Sequence, residues 1–176
     1  MILCAMFVAL IAVGAFIKIP VPVVPFTLQY LFTMLAGLLL GGKKGCLAVC
    51  IYIVLGLAGL PVFAQGGGIG YIFQPSFGYI IGFAAGAFVT GVIANSVHKP
   101  GYQRLLAADF AGLAIVYLFG MVYYYFISKC YLENPIGLWP LFLYCFLLAV
   151  PGDILLCILG AMIGKRMIPL IQEGRL

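Results

Sequence analysis

The sequence predicts an all-α integral membrane protein in which six transmembrane helices form one domain over residues 1–176. Of the 176 residues, 66% are hydrophobic and 7% are charged, whereas about a quarter of the residues of a soluble domain are charged. The apolar residues form runs close to the roughly 20 residues that cross a bilayer. Because so few charged side chains cannot cover the surface of a soluble domain of this size, the chain is expected to lie in a membrane.

Six apolar runs are interpreted as the spanning helices, and breaks that contain proline or glycine separate them. The first run has no basic segment ahead of it and no small-residue cleavage motif before Lys18. It is therefore interpreted as a retained helix rather than as a signal peptide. The six runs cover roughly residues 1–17, 26–42, 45–60, 76–97, 105–129 and 138–164.

The basic residues predict that both termini are cytoplasmic. With that orientation, only Lys18 and Lys129 lie on the outer side, and cytoplasmic loops normally hold the excess of Lys and Arg. The basic residues of the inner side are then Lys43, Lys44, Lys99, Arg104, Lys165, Arg166 and Arg175. Three connections face outwards, namely IKIPVPVVPFT, GLPVFAQGGGIGYIFQPSFGY (residues 59–79) and YLENPIGLWP.

The first two outer connections predict a covered pocket that opens outwards. Prolines stiffen the first connection, and glycines allow the second to approach a ligand closely. Irregular backbone near membrane depth is tolerated where it is buried in protein or lines a cavity. The alternative is that residues 59–79 form a flexible loop, but their aromatic content argues against a solvated linker. The aromatic residues are Phe63, Tyr71, Phe73, Phe77 and Tyr79.

Asp153 is the main candidate for a ligand-binding residue. It lies twelve residues before Lys165, or about 18 Å from the inner end of its helix at ~1.5 Å per residue. An acid at that depth usually faces a cavity or a partner. The alternative is that Asp153 caps a helix that restarts after Pro151 and Gly152, or pairs with a buried base.

Several further polar side chains are expected at the same outer level as Asp153. A site for a small, partly polar molecule needs apolar walls and a few placed polar groups. The candidates are Thr27, Gln29, Gln65, Gln74, Ser76 and Tyr79.

The remaining polar residues favour binding over chemistry. Asp109 is expected to form an ion pair with Arg104 at the inner membrane surface, and the lone His98 is interpreted as an interfacial residue. The six cysteines include no C-x-x-C pair, so packing is preferred to a metal site. No cofactor and no nucleic-acid partner are expected. An intramembrane enzyme with Asp153 as its base is the alternative class, but the sequence shows no catalytic partner for it.

The first predicted helix carries small residues on one face. Ala5 and Ala9 are four residues apart, and Ala12 and Gly14 follow. Small residues at this spacing permit close helix–helix contact. This face is therefore a candidate for docking onto another membrane protein.

Five stretches of the chain closely resemble the BioY family, the biotin-binding S components of energy-coupling factor (ECF) transporters. The resemblance implies a six-helix bundle that holds the vitamin at its outer face, with the first and third outer connections covering it. It also implies two kinds of partner, a transmembrane coupling protein that docks at Ala5, Ala9 and Ala12, and two cytoplasmic ATPases. The stretches are VPFTLQ at 24–29, LAGLLLG at 35–41, YIVLGLAGLPVFAQGGG at 52–68, QPSFGYIIGF at 74–83 and PGD at 151–153.

The resemblance also implies that Asp153 contacts the biotin ring system. The chemistry of biotin then suits Gln74, Gln29 or Tyr79 for its remaining polar contacts. The walls would be Phe63, Tyr71, Phe77 and Tyr79.

The family commonly has lysine three residues after the acid, where this chain has Leu156. Lys18, Lys129 or the backbone N–H groups of Gly66, Gly67 and Gly68 could instead bind the ligand carboxylate. A different vitamin-like ligand also stays open.

Overall fold

The computed structural model describes residues 1–19, 26–130, 137, 139, 143, 147 and 149–173. Helices dominate these residues, as the sequence predicts. The α-helices are α1 (Ile2–Phe16), α2 (Gln29–Leu40), α3 (Gly42–Leu57), α4 (Phe77–Ala94), α5 (Tyr102–Cys130) and α6 (Val150–Glu173). A short antiparallel pair, β1 (Lys18–Ile19) with β2 (Phe26–Thr27), and a 3₁₀ helix (Ile69–Phe73) complete the described elements.

Three of the described helices are long and apolar enough to cross a membrane, namely α4, α5 and the Val150–Ile171 part of α6. The apolar helices α1 and α2 are shorter, and α3 has 16 residues and begins with two lysines near its N-terminus. The start of the sixth predicted span, residues 138–148, lies almost entirely outside the described residues. The structure therefore confirms a multi-pass helical protein, and the count of six spans stays a prediction.

Helix α4 lies at the centre of the bundle and contacts α2, α3 and α5. Its glycines recur every four residues on the side of α5. A Cβ added to Gly82 would lie 3.0 Å from the Cα of Val116, and one added to Gly86 would lie 3.0 Å from the carbonyl oxygen of Gly112. Helices in a membrane associate through such close contacts of small residues, so this glycine face determines where α5 lies.

The C-terminal end of α4 meets α2 and α3 at the same close range. A Cβ added to Gly91 would lie 2.3 Å from the backbone nitrogen of Gly42 and 2.6 Å from the carbonyl oxygen of Gly37. The Asn95 side chain also donates a hydrogen bond of 3.0 Å to the Leu38 carbonyl. These contacts join the α2–α3 turn to the end of α4.

The expected ion pair between Asp109 and Arg104 is wrong. Asp109 is fully buried, and neither of its carboxylate oxygens has a hydrogen-bond partner among the described residues. Arg104 instead donates to the Ile93 carbonyl at 3.0 Å and to the Ser96 hydroxyl. Five residues along a helix rotate a side chain by about 140° to another face, which separates the two groups.

The segment between α3 and α4, residues 58–76, folds into a compact cap. Phe63 is fully buried at its centre, with the Tyr52 and Tyr71 rings at centroid distances of 5.4 and 4.5 Å. A Cβ on Gly56 would lie 2.1 Å from the Phe63 ring, so glycine makes room for the ring. The cap is thus a packed structure, in agreement with the prediction from its aromatic residues.

The helix contact at Gly91 predicts a loss of stability on adding one methyl group. Gly91→Ala should lower the free energy of unfolding by about 1–3 kcal/mol, because the new Cβ overlaps backbone atoms that cannot rotate away. Gly70→Ala is the matched control, since a Cβ there meets no atom within 4 Å. Thermal unfolding in detergent compares the variants, and equal midpoints for the two would contradict the close contact.

The packing of Phe63 predicts that the cap opens when this ring is removed. Phe63→Ala should destabilise the cap by about 3–5 kcal/mol, as for other buried aromatic residues. Hydrogen exchange of the backbone amides of residues 58–76 measures the effect. Ile69→Ala should leave exchange unchanged because Ile69 is 73% exposed, and the same slow exchange in both variants would disprove the core role of Phe63.

Candidate functional site

Asp153 lies in the first turn of α6 and points into the bundle. Its side chain is 8% exposed, and Oδ2 accepts a hydrogen bond of 2.5 Å from the Tyr117 hydroxyl of α5. An acid in the first turn is also favoured by the helix dipole. Among the described residues its partner is therefore a neutral hydroxyl rather than the buried base considered as an alternative. A carboxylate accepts up to about four hydrogen bonds, so it can accept others.

Tyr79 of α4 completes a row of polar side chains with Tyr117 and Asp153. The rings of Tyr79 and Tyr117 meet edge to face at a centroid distance of 6.0 Å. Gly120 of α5 leaves the space for Tyr79, since a Cβ there would lie 2.4 Å from its ring. The structure thus brings two predicted site residues together through Tyr117, which sequence reasoning missed. The sequence signalled Tyr117 only indirectly, because a buried acid such as Asp153 requires a hydrogen-bond donor.

Helix α2 presents a second polar group, Gln29, at its first residue. Gln29 is 3% exposed. Its amide lies beside the Tyr52 hydroxyl, but Nε2 makes no hydrogen bond to any described residue, and the Tyr52 hydroxyl donates to the Val62 carbonyl at 2.9 Å. Buried polar groups are rarely left unpaired in folded proteins. The Nε2 group of Gln29 is therefore available to donate a hydrogen bond to a ligand.

Tyr30 connects the start of α2 with α6. Its hydroxyl lies 3.8 Å from the sulfur of Cys157, one turn of α6 beyond Asp153. The hydroxyl also donates to the backbone carbonyl of Asp109 at 2.8 Å. The start of α2 and the row from Tyr79 to Asp153 therefore lie at one end of the bundle. Tyr52, which contacts both Gln29 and Val62, places the cap at the same end.

The predicted residues of the cap form a separate cluster. Tyr71 packs on Phe63, and its hydroxyl lies 3.3 Å from that of Ser76. Burial raises the pKa of Tyr71 above its ordinary value, so this hydroxyl stays neutral. Phe77 instead packs edge to face on Tyr123 of α5 at 5.9 Å. The structure thus places Phe63 and Phe77 within protein packing, where they support the neighbouring walls.

The cap backbone uses most of the N–H groups that could bind an anion. The Gly68 N–H donates to the Gly56 carbonyl at 2.7 Å, and the Gly66 N–H donates to the Phe63 carbonyl at 3.2 Å. Gly66 and Gly68 have φ values of +121° and +99°, which other residues rarely adopt. This geometry does not support the three consecutive N–H groups as an anion site, and it leaves only that of Gly67 unassigned.

The other predicted polar residues lie at the edge of this end of the bundle. Gln74 is exposed, directly after the 3₁₀ helix, and Thr27 is half-buried in β2. No hydrogen bond in the described structure connects either side chain to Asp153. Their part in binding therefore stays a prediction.

The small residues of α1 line an apolar groove. Ala5, Ala9 and Ala12 form one wall, and Leu47, Ile51 and Leu55 of α3 face them across a volume of about 570 Å³. Ala5 and Ala9 are exposed. The groove is therefore open to a helix or a lipid chain from outside the molecule.

The described residues contain no group of three or more His, Cys, Asp and Glu side chains that could hold a metal ion. The thiols of Cys46 and Cys50 lie 4.0 Å apart on successive turns of α3.

Comparison with known proteins places the chain in one family. A model of the BioY family matches residues 1–173. A probable biotin transporter BioY of Lysinibacillus sphaericus is 43% identical over 99% of this chain and 89% of its own length. The biotin transporter BioY of Thermotoga maritima is 47% identical over 69% of this chain and 71% of its own length.

A solved structure agrees with this assignment. The crystal structure of the S component for biotin from an ECF-type ABC transporter superimposes with a TM-score of 0.69 at 31% sequence identity, and covers 94% of this chain and 88% of that one. Because the family model spans nearly the whole sequence and the relatives align over most of it, this protein belongs to the BioY family.

Proposed function

We propose that this protein is the biotin-binding S component of an ECF-type ABC importer, built as one six-helix membrane domain. The observation that carries the proposal is the buried carboxylate of Asp153, held by Tyr117 beside Tyr79 at the capped end of the bundle. Relatives that align with most of the chain are named biotin transporters. The role assigned to Asp153 is therefore to bind a transported ligand rather than to catalyse a reaction.

The ureido ring of biotin suits this row of polar groups. It offers two N–H donors and a carbonyl acceptor, and Asp153 can accept N–H groups in addition to the Tyr117 hydroxyl. Hydrogen bonds to a buried carboxylate are stronger than neutral ones. The unpaired Nε2 of Gln29 is a donor for the ureido carbonyl. The ligand would thus satisfy both an acid and an amide.

The apolar parts of biotin require apolar walls. Tyr79 and Tyr71 would supply these surfaces, while Phe63 and Phe77 support them from within the protein packing. Gln74, Thr27 and Ser76 would contribute at the rim, together with the backbone of Gly67 and Gly68. The first and third outer connections, proposed to cover the ligand, lie largely outside the described residues.

The cap side of the bundle is proposed to face outwards, with both termini cytoplasmic. The contacts place the end of α1, the start of α2 and the cap together, since Leu28 donates to Ile17 and Lys18 donates to Ala64. The excess of basic residues in the opposite connections supports this orientation. Biotin would then be captured from outside the cell.

The groove lined by Ala5, Ala9 and Ala12 is the proposed docking site for a transmembrane coupling protein. Two cytoplasmic ATPases would supply the energy through that protein. Exposed small residues beside an apolar groove allow a partner helix to approach closely. The contact supports delivery of the ligand without any chemistry in this chain.

A second candidate is an S component for another small vitamin-like solute. The observation that favours it is Leu156, which is buried at 5% exposure where the family resemblance leads one to expect lysine. The binding experiment below separates the two.

Asp153→Asn is expected to weaken biotin binding by about 1–3 kcal/mol, because the amide replaces a strong acceptor by a weaker one. Titration calorimetry of the purified protein, without ATP, measures the change. Asp109→Asn makes the same substitution at the other buried acid of the described residues and should bind biotin like the wild type. Asp109 lies beside Gly160, which is seven residues after Asp153 along α6. A wild-type protein that binds another vitamin and not biotin would favour the second candidate.

Ala9→Trp is expected to abolish biotin uptake and to leave biotin binding intact, because the indole fills the groove proposed for docking. Uptake into vesicles that contain the coupling protein and the ATPases measures the first effect, and calorimetry the second. Ala107→Trp is the matched control at an exposed alanine of α5. Undiminished uptake by Ala9→Trp would remove α1 as the docking face.

A further inference from the structure

We propose that the Lys18 ammonium binds the carboxylate of the ligand. The inference rests on the proposed function. Biotin carries its ureido ring and its carboxylate at opposite ends, so the two groups need separate partners. Leu156, three residues after Asp153, is buried and apolar, so it offers no charge to the ligand carboxylate.

The sequence leaves few cations for this task. If the cap faces outwards, Lys18 and Lys129 are the basic residues of that side, and residues 20–25 and 131–148 contain neither Lys nor Arg. The backbone alternative is weakened, because the N–H groups of Gly66 and Gly68 already donate within the protein. Among the cations, the choice is therefore between two lysines.

Lys18 lies where the capped end of the bundle converges. It follows α1 directly and pairs with Thr27 across the β1–β2 ladder, two residues before the unpaired Gln29. Its Nζ donates a hydrogen bond of 2.9 Å to the Ala64 carbonyl, and Ala64 is the neighbour of the buried Phe63. The exposed ammonium thus contacts the cap, and its strand pairs with β2, which lies just before α2.

The bond to Ala64 leaves donor capacity for an anion. An ammonium has three N–H donors, and one of them serves the Ala64 carbonyl. A carboxylate that accepts from the other two would connect β1 and the cap through the ligand.

Lys129 has another explanation. It lies in the last turn of α5, where a cation interacts favourably with the negative end of the helix dipole. Its side chain is exposed, as that of Lys18 is, but the helix dipole accounts for its position without a ligand. Lys129 is therefore the matched control for Lys18.

The test measures the affinities of wild type, Lys18→Gln and Lys129→Gln for biotin and for biotinamide, in which a neutral amide replaces the carboxylate. Wild type and Lys129→Gln should bind biotin about tenfold or more tightly than biotinamide, as expected for a charge-assisted contact. Lys18→Gln should lose this preference and bind both ligands with the affinity that wild type shows for biotinamide.

Two results would overturn the role of Lys18. If Lys18→Gln still prefers biotin by the wild-type factor, another group holds the carboxylate. If it weakens both ligands equally, Lys18 only ties β1 to the cap. A wild-type protein that binds neither ligand would instead overturn the proposed function itself. Size-exclusion profiles confirm that each variant is folded.

Discussion

Helices inside a bilayer gain little by hiding apolar surface from one another, so their arrangement depends on how closely their backbones can approach. In this protein several of the close approaches between helices involve glycines of α4. Gly82 and Gly86 bring α5 against α4, and Gly91 meets the turn between α2 and α3. Because α5 carries Tyr117 and α4 carries Tyr79, the same packing sets the distance between the residues proposed to bind ligand. A wider α4–α5 spacing would separate Tyr79 from the row that reaches Asp153.

The cap and the polar row solve different physical problems at one end of the bundle. The cap pairs the N–H groups of Gly66 and Gly68 and buries Phe63, so an irregular segment is packed without a regular sheet. The polar row keeps an acid inside the bundle with a single described protein donor. An acid so placed is stabilised further by a guest with N–H groups, and the unpaired amide of Gln29 suits the same guest. Stability and binding therefore share these residues.

Much of the fold and part of the site could be predicted from the sequence. The low charge and the apolar runs indicated a helical membrane protein, and the aromatic residues in 59–79 indicated a structured cap. Asp153 was found because an acid within an apolar run demands a reason. The partners of these residues could not be predicted. In the sequence, Tyr117 and Tyr52 are tyrosines within apolar runs with no sign of a polar partner, and Asp109 resembles an acid at the membrane surface. Sequence separation does not reveal which helix faces meet, so their contacts could not be predicted.

Sequence alone determined that this protein lies in a membrane. The ratio of apolar to charged side chains sets the free energy of transfer of each run into lipid, independently of its neighbours. It also determined where the chain must turn, because proline and glycine act through local backbone geometry. Tertiary structure decided which groups are paired. The rotation of α5 buries Asp109 away from Arg104, directs Tyr117 to Asp153 and leaves Gln29 without an acceptor. These outcomes depend on contacts between helices distant in sequence, and close packing at the α4 glycines fixes them.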